Sequence, residues 1–141
     1  MNNNWVLFAL ASAVFAALTA IFGKLGVVGL NSNLATFIRT IVILGVIAGI
    51  VTLRGEWQAP GRIGARSWLF LVLSGVATGL SWLCYYRALQ LGPVSRVAPL
   101  DKLSVALTIV LGVVVLGEPL SWPVAIGGGM IVAGSLVMIL F

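Results

Sequence analysis

Arg96-Val97-Ala98-Pro99-Leu100-Asp101-Lys102-Leu103-Ser104-Val105 opens a run that stays apolar to Leu116. About 20 apolar residues at 1.5 Å each cross the hydrocarbon core of a bilayer, so the run has the length of a membrane-spanning helix. It nevertheless contains an acid and a base side by side. A charge at bilayer depth costs about 2.5–3.5 kcal/mol on insertion scales, and groups carrying one face a protein interior or a wet cavity. Asp101 and Lys102 are therefore the first candidates for function.

Working outward from Val97–Leu116, four more runs reach the same length: about Trp5–Phe22, Leu34–Leu53, Trp68–Leu89 and Trp122–Phe141. None shows the two-residue alternation of a barrel strand. The expected fold is an all-α integral membrane protein, a bundle of five transmembrane helices forming one domain over residues 1–141. Composition agrees. Of 141 residues, 61% are hydrophobic and only 8% charged, too few charges to cover a soluble domain with so much apolar surface.

Short connections join the spans. Asn31, Ser32 or Asn33 can cap the second helix, Ser95 the fourth and Ser121 the fifth, with Pro123 tolerated in a first turn. Gly92-Pro93 marks a turn, and Arg54–Ser67, with Pro60 and three glycines, is the longest and most polar loop. Met1-Asn2-Asn3-Asn4-Trp5 lacks a basic segment, so the first run reads as a retained helix rather than a cleaved signal.

Several function classes drop out. The chain has no His and a single cysteine, Cys84, which leaves no metal site and no disulfide. No nucleophile stands beside a base, so no enzyme and no cofactor are expected. The net charge of +5 is scattered, which argues against a nucleic-acid surface.

Topology adds a constraint. Five spans put the termini on opposite sides. The amino-terminal side carries Arg54, Arg62 and Arg66; the other carries Lys24, Arg87 and Arg96. Orientation follows an excess of Lys and Arg in cytoplasmic loops, and three against three gives none. Such a chain can insert both ways and pair with an inverted copy of itself. The alternative is one fixed orientation and a parallel dimer.

Residues spaced i, i+4, i+7 share a helix face. The fourth run puts Asp101, Ser104 and Thr108 on one stripe; the third puts Ser74, Thr78, Ser81 and Tyr85 on another; the second has Thr36 and Thr40 beside Arg39; the first has Ser12, Ala16 and Thr19. These faces suit a polar interior, although Ser and Thr also serve dry helix contacts in membranes. The fifth run, with Gly127-Gly128-Gly129 and the small pair Gly129/Ala133, reads as a packing or dimerisation helix. Gly45/Gly49 and Gly75/Gly79 form similar pairs.

Four ionisable groups need partners: Lys24, Arg39, Asp101 and Lys102. Asp101 and Lys102 point about 100° apart on an ideal helix, so separate roles are expected, with Lys102 reaching towards the interface. One alternative is a structural cluster in which Arg39 or Lys24 neutralises Asp101. The other leaves surplus positive charge for an anionic or zwitterionic solute, walled by Trp82, Tyr85 and Tyr86. Asp101 would carry any coupled proton.

Leu89-Gln90-Leu91-Gly92-Pro93-Val94-Ser95 resembles the "AL..GPAS" turn of EamA-type transporters in the drug/metabolite transporter superfamily. Leu116-Gly117-Glu118-Pro119-Leu120-Ser121, followed by Gly127, Gly128 and Gly134, resembles that family's closing motif, and Arg39 matches an arginine often found after the first loop. The resemblance implies a solute transporter, often an exporter of amino acids or other metabolites, working by alternating access in the cell inner membrane. Most members fuse two oppositely oriented five-helix units, and this chain resembles one such unit, implying a homodimer, possibly antiparallel. The related small multidrug resistance proteins use a glutamate in their first helix, which this chain lacks. A non-transporting membrane subunit or a component of a lipid-carrier flippase is the alternative. The expected site for substrate or coupling ion comprises Asp101, Lys102, Arg39, Lys24, Ser104, Thr108, Thr78, Trp82, Tyr85 and Tyr86.

Overall fold

The computed structural model describes residues 4–141; the start of the predicted domain and most of its amino-terminal stretch, residues 1–3, lie outside the described residues. Six α-helices follow in order: α1 Asn4–Gly26, α2 Ser32–Arg54, α3 Ala65–Leu91, α4 Val94–Asp101, α5 Leu103–Leu116 and α6 Trp122–Leu140. A 3-10 turn, Pro60–Arg62, punctuates the connection from α2 to α3. Among the described residues there is no strand, and five segments are long and apolar enough to cross a membrane, with Val94–Leu116 counted as one. The all-α, five-span expectation holds.

Helix ends follow local chemistry. Asn31 caps α2, its side-chain oxygen accepting from the backbone N–H of Asn33 (2.9 Å) and of Leu34 (3.4 Å). Gly55 and Gly117 end α2 and α5 at φ of 65° and 70°, a left-handed conformation that a Cβ opposes. Two capping expectations need correction. The helix after Gly92 starts with Pro93 as its cap residue, so Ser95 lies inside the first turn; the fixed φ of proline, −71° there, suits a helix entrance and starts it early. Ser121 occupies the cap position of α6 but makes no side-chain capping bond.

The fourth span is not the continuous helix expected over 97–116. It breaks at Lys102, which has φ −70° and ψ −9° and ends α4 while opening α5. Pro99 lacks an N–H, so the carbonyl of Ser95 loses its usual partner. The next turns close with tight i→i−3 bonds, Lys102 N–H to Pro99 O (3.0 Å) and Val105 N–H to Lys102 O (2.9 Å).

The described residues form two compact units. One holds residues up to Ile21 together with Leu91–Phe141; the other holds Phe22–Gln90. In the first, α6 packs on α4 and α5. The close approach is at Gly128, where a Cβ would stand 2.7 Å from Ile109 Cδ1. Gly129, the small residue singled out from spacing, meets nothing within 4 Å, and the same is true of Gly45, Gly49, Gly75 and Gly79. In the second unit, the buried residues sit in the last turns of α1 and α3, the first turn of α2, and the α1–α2 connection. Val27 and Leu89 are 1% and 0% exposed, with Gly23, Ala35, Thr36 and Tyr86 also buried.

Candidate functional site

The Phe22–Gln90 unit brings together most of the side chains singled out from sequence. Arg39 lies in the second turn of α2, about 10 Å along the helix from Ser32 at 1.5 Å per residue. Its guanidinium carbon stands over the Trp82 ring, 3.0 Å from the centroid, and 5.5 Å from that of Tyr86. Trp82, Tyr85 and Tyr86, one turn of α3, form a mutual aromatic group with centroid separations of 6.1, 6.1 and 6.5 Å. Spacings of one, three and four residues place all three on neighbouring parts of one helix surface. Gly23 lets Tyr86 lie against α1, since a Cβ there would come within 3.1 Å of the phenol oxygen.

The charge on Arg39 is held by ring faces and by no carboxylate in its unit. Glu56 is the only acid between residues 22 and 90, and it pairs with Arg54 at 3.8 Å in an exposed contact. A cation over a partly desolvated ring gains about 2 kcal/mol. That recovers only part of the about 2.5–3.5 kcal/mol that an arginine costs inside a span.

Around Leu89 and Gln90 a second set of contacts closes one end of this unit. Lys24 donates from Nζ to the Leu89 carbonyl (2.5 Å), satisfying a free acceptor at a helix C-terminus, where a cation is also favoured by the helix dipole. Gln90 donates from Nε2 to the Leu30 carbonyl (2.8 Å), while its Oε1 accepts from Arg87 (2.7 Å). Gln90, Arg87 and Gly23 were not singled out from sequence for a site. Gln90 reaches a carbonyl 60 residues away, and a single chain carries no signal for such a pairing.

Asp101 and Lys102 belong to the other unit. They are not separate: Lys102 Nζ stands 3.6 Å from Asp101 Oδ2. The four-carbon lysine stem reaches sideways across the angular offset, so the two side chains meet. Both groups are half-exposed on the chain itself, 54% and 40%. The pair sits at the break of the fourth span. Ser104 and Thr108 follow on α5, both exposed.

The polar stripes have a local explanation. Thr36, Thr40, Thr78 and Thr108 each donate a hydroxyl to the carbonyl four residues earlier on the same helix, all at 2.8 Å. The i, i+4 spacing that defines a stripe is also the spacing of this back-bond. These hydroxyls remain acceptors only.

Glu118 contributes a feature that sequence reasoning did not weigh. Gly117 and Glu118 both direct their backbone N–H at the Gly112 carbonyl, and the Glu118 carboxylate lies against Gly112, 3.1 Å from where a Cβ would be. The Leu116-Gly117-Glu118 motif is thus a helix stop with its acid folded back on α5.

Five helices long and apolar enough to cross a membrane make this a multi-pass membrane protein. The chain belongs to the EamA-like transporter family, which matches residues 3–140. It is 55% identical to a Sinorhizobium sp protein described as an uncharacterized transporter in the cobO 3′ region, aligned over all of both chains. It is 28% identical over 92 residues, 65% of this chain, to the uncharacterized transporter YojE of Bacillus subtilis (strain 168), of which the match covers 31%. No solved structure matches the chain.

Proposed function

We propose that the protein exports small metabolites, amino-acid-like or organic-anion solutes, by alternating access as a homodimer in the cell inner membrane. The observation that carries this reading is the half-exposed Asp101–Lys102 pair at the break of a membrane span. Lipid tails cannot solvate it, so a wet pathway or a second copy of the chain must cover it. Interrupted helices supply ion and substrate sites in many transporter folds. In this reading Asp101 takes the coupling ion, with Lys102, Ser104 and Thr108 beside it. In the Phe22–Gln90 unit, Arg39, Lys24, Thr78, Trp82, Tyr85 and Tyr86 serve the solute. The even split of Lys and Arg between the two faces supports an antiparallel pair.

The test is solute flux in proteoliposomes with Asp101→Asn. Loss of coupled flux by at least about tenfold, with helicity and dimer content unchanged, is the expected result for a group acting on the barrier. Wild-type flux in the variant removes Asp101 from the mechanism. Absence of flux in the wild type, with the substitution altering only dimer stability, favours the non-transporting subunit.

A further inference from the structure

The arrangement around Arg39 specifies more than a positive charge. A guanidinium centred 3.0 Å above an indole ring must lie nearly parallel to it, so its N–H donors project sideways from the stack. Five donors in a planar fork match the two oxygens of a carboxylate. Within the unit no carboxylate takes that place, because Glu56 pairs with Arg54. Arg39 and Trp82 are each only partly buried. The ring holds the cation at a fixed height; the fork remains for an oxyanion.

We infer that Arg39 is the seat for the carboxylate of the transported solute and that Trp82 is its holder, keeping the guanidinium flat and aimed while the seat is empty. The solute is then a small carboxylate, and its apolar part meets the half-buried Tyr85 beside the seat. Buried Tyr86 packs against Trp82 on the guanidinium's side, 5.5 Å from it, and Gly23 permits that position. This assignment rests on the transporter reading and narrows it: the negative charge of the solute is recognised in the Phe22–Gln90 unit, independently of Asp101.

The experiment uses a full-length variant retaining Trp82 alone, with Trp5, Trp57, Trp68 and Trp122 changed to Phe, reconstituted in neutral-lipid vesicles. Phenylacetate is titrated against phenylacetamide, which keeps the ring and lacks the charge. The acid should change Trp82 emission saturably and the amide should not. Arg39→Lys, which keeps the charge but loses the fork, should weaken the response at least about tenfold, and Arg39→Gln should abolish it. Equal responses to acid and amide, no response to phenylacetate, or an unchanged response in Arg39→Gln would each overturn the assignment. Wild-type flux measurements separate the two levels. Flux with an unchanged KM in Arg39→Gln removes the seat and leaves the transporter. Charge-specific binding without flux leaves the seat and removes the transporter. Adding vesicles with anionic lipid distinguishes a lipid phosphate from a free carboxylate: competition by the lipid at every phenylacetate concentration, with no KM effect of Arg39→Gln on flux, assigns Arg39 to the headgroup and overturns the solute seat.

Discussion

Removing the charge of Arg39 and the ring of Trp82, singly and together, should expose a coupling that neither change reveals alone. Trp82→Leu by itself loses packing against Tyr85 and Tyr86, a cost of a few kcal/mol for a large aromatic side chain that has nothing to do with Arg39. Arg39→Met keeps the apolar stem and deletes the cation. The double variant cancels the packing loss and isolates the interaction between the two groups. The guanidinium carbon is 3.0 Å from the Trp82 centroid and Arg39 is half-buried, which puts the pair near the desolvated end of the cation–aromatic range, about 1–2 kcal/mol. At about 1.4 kcal/mol per factor of ten, that is a five- to thirty-fold change in an equilibrium constant. Tyr86, at 5.5 Å, retains part of the attraction when Trp82 is lost, so the lower half of the range is expected. Reversible unfolding of the four proteins in mixed micelles measures the coupling. A value below about 0.3 kcal/mol, the scatter expected for independent sites, refutes the claim that the ring face holds the charge.

Gly128→Ala should destabilise the packing of α6 on α5 by about 1 kcal/mol, the low end for an overfilled contact, because the obstructing atom is the movable tip of Ile109. Adding Ile109→Val removes that tip and should restore stability; failure to do so would show that the backbones, not the side chain, set the approach. A reporter fused after Phe141 should be found on both faces of a bacterial inner membrane, since three basic residues lie at the span ends or in the connections on each side. One face only would exclude the antiparallel homodimer.

The spans were legible because apolar length in a membrane is a one-dimensional property, and the start of α2 was legible to within the three candidates Asn31, Ser32 and Asn33. Pro99 was the visible sign of the broken fourth span, yet hydropathy alone runs through it from Val94 to Leu116. Pairings across sequence were not legible. Nothing in the run around Trp82 announces that Arg39, more than forty residues earlier, lies on its ring. The Gly128 contact illustrates the limit at short range: the small-residue pattern pointed to its neighbour Gly129, and one residue on a helix is a turn of about 100°. The polar stripes were read correctly as positions and incompletely as chemistry. Their threonine hydroxyls already donate to their own helix, which leaves them weaker guides to a cavity than their spacing implies.

The Asp101–Lys102 pair changes where the positive surplus lies. Read from sequence, three cations converge on one acid, and the acid is the natural centre. In the structure the acid has a cation beside it, at 3.6 Å, and the pair is locally neutral. Lys24 has the Leu89 carbonyl, a neutral acceptor at a helix end. Arg39 is left with ring faces, which lower its cost without cancelling its charge. The pair carries no net charge, whereas Arg39 has no carboxylate beside it within its own unit. In the proposed reading the fourth span serves the coupling ion, and the second span, through Arg39, serves the solute. The two substitutions should therefore separate kinetically. Asp101→Asn lowers the coupled rate with the apparent solute affinity retained, whereas Arg39→Lys raises KM at least about tenfold because it leaves the charge and removes the fork. A shared rise in KM for both would mean that one site, not two, holds the charge of the solute.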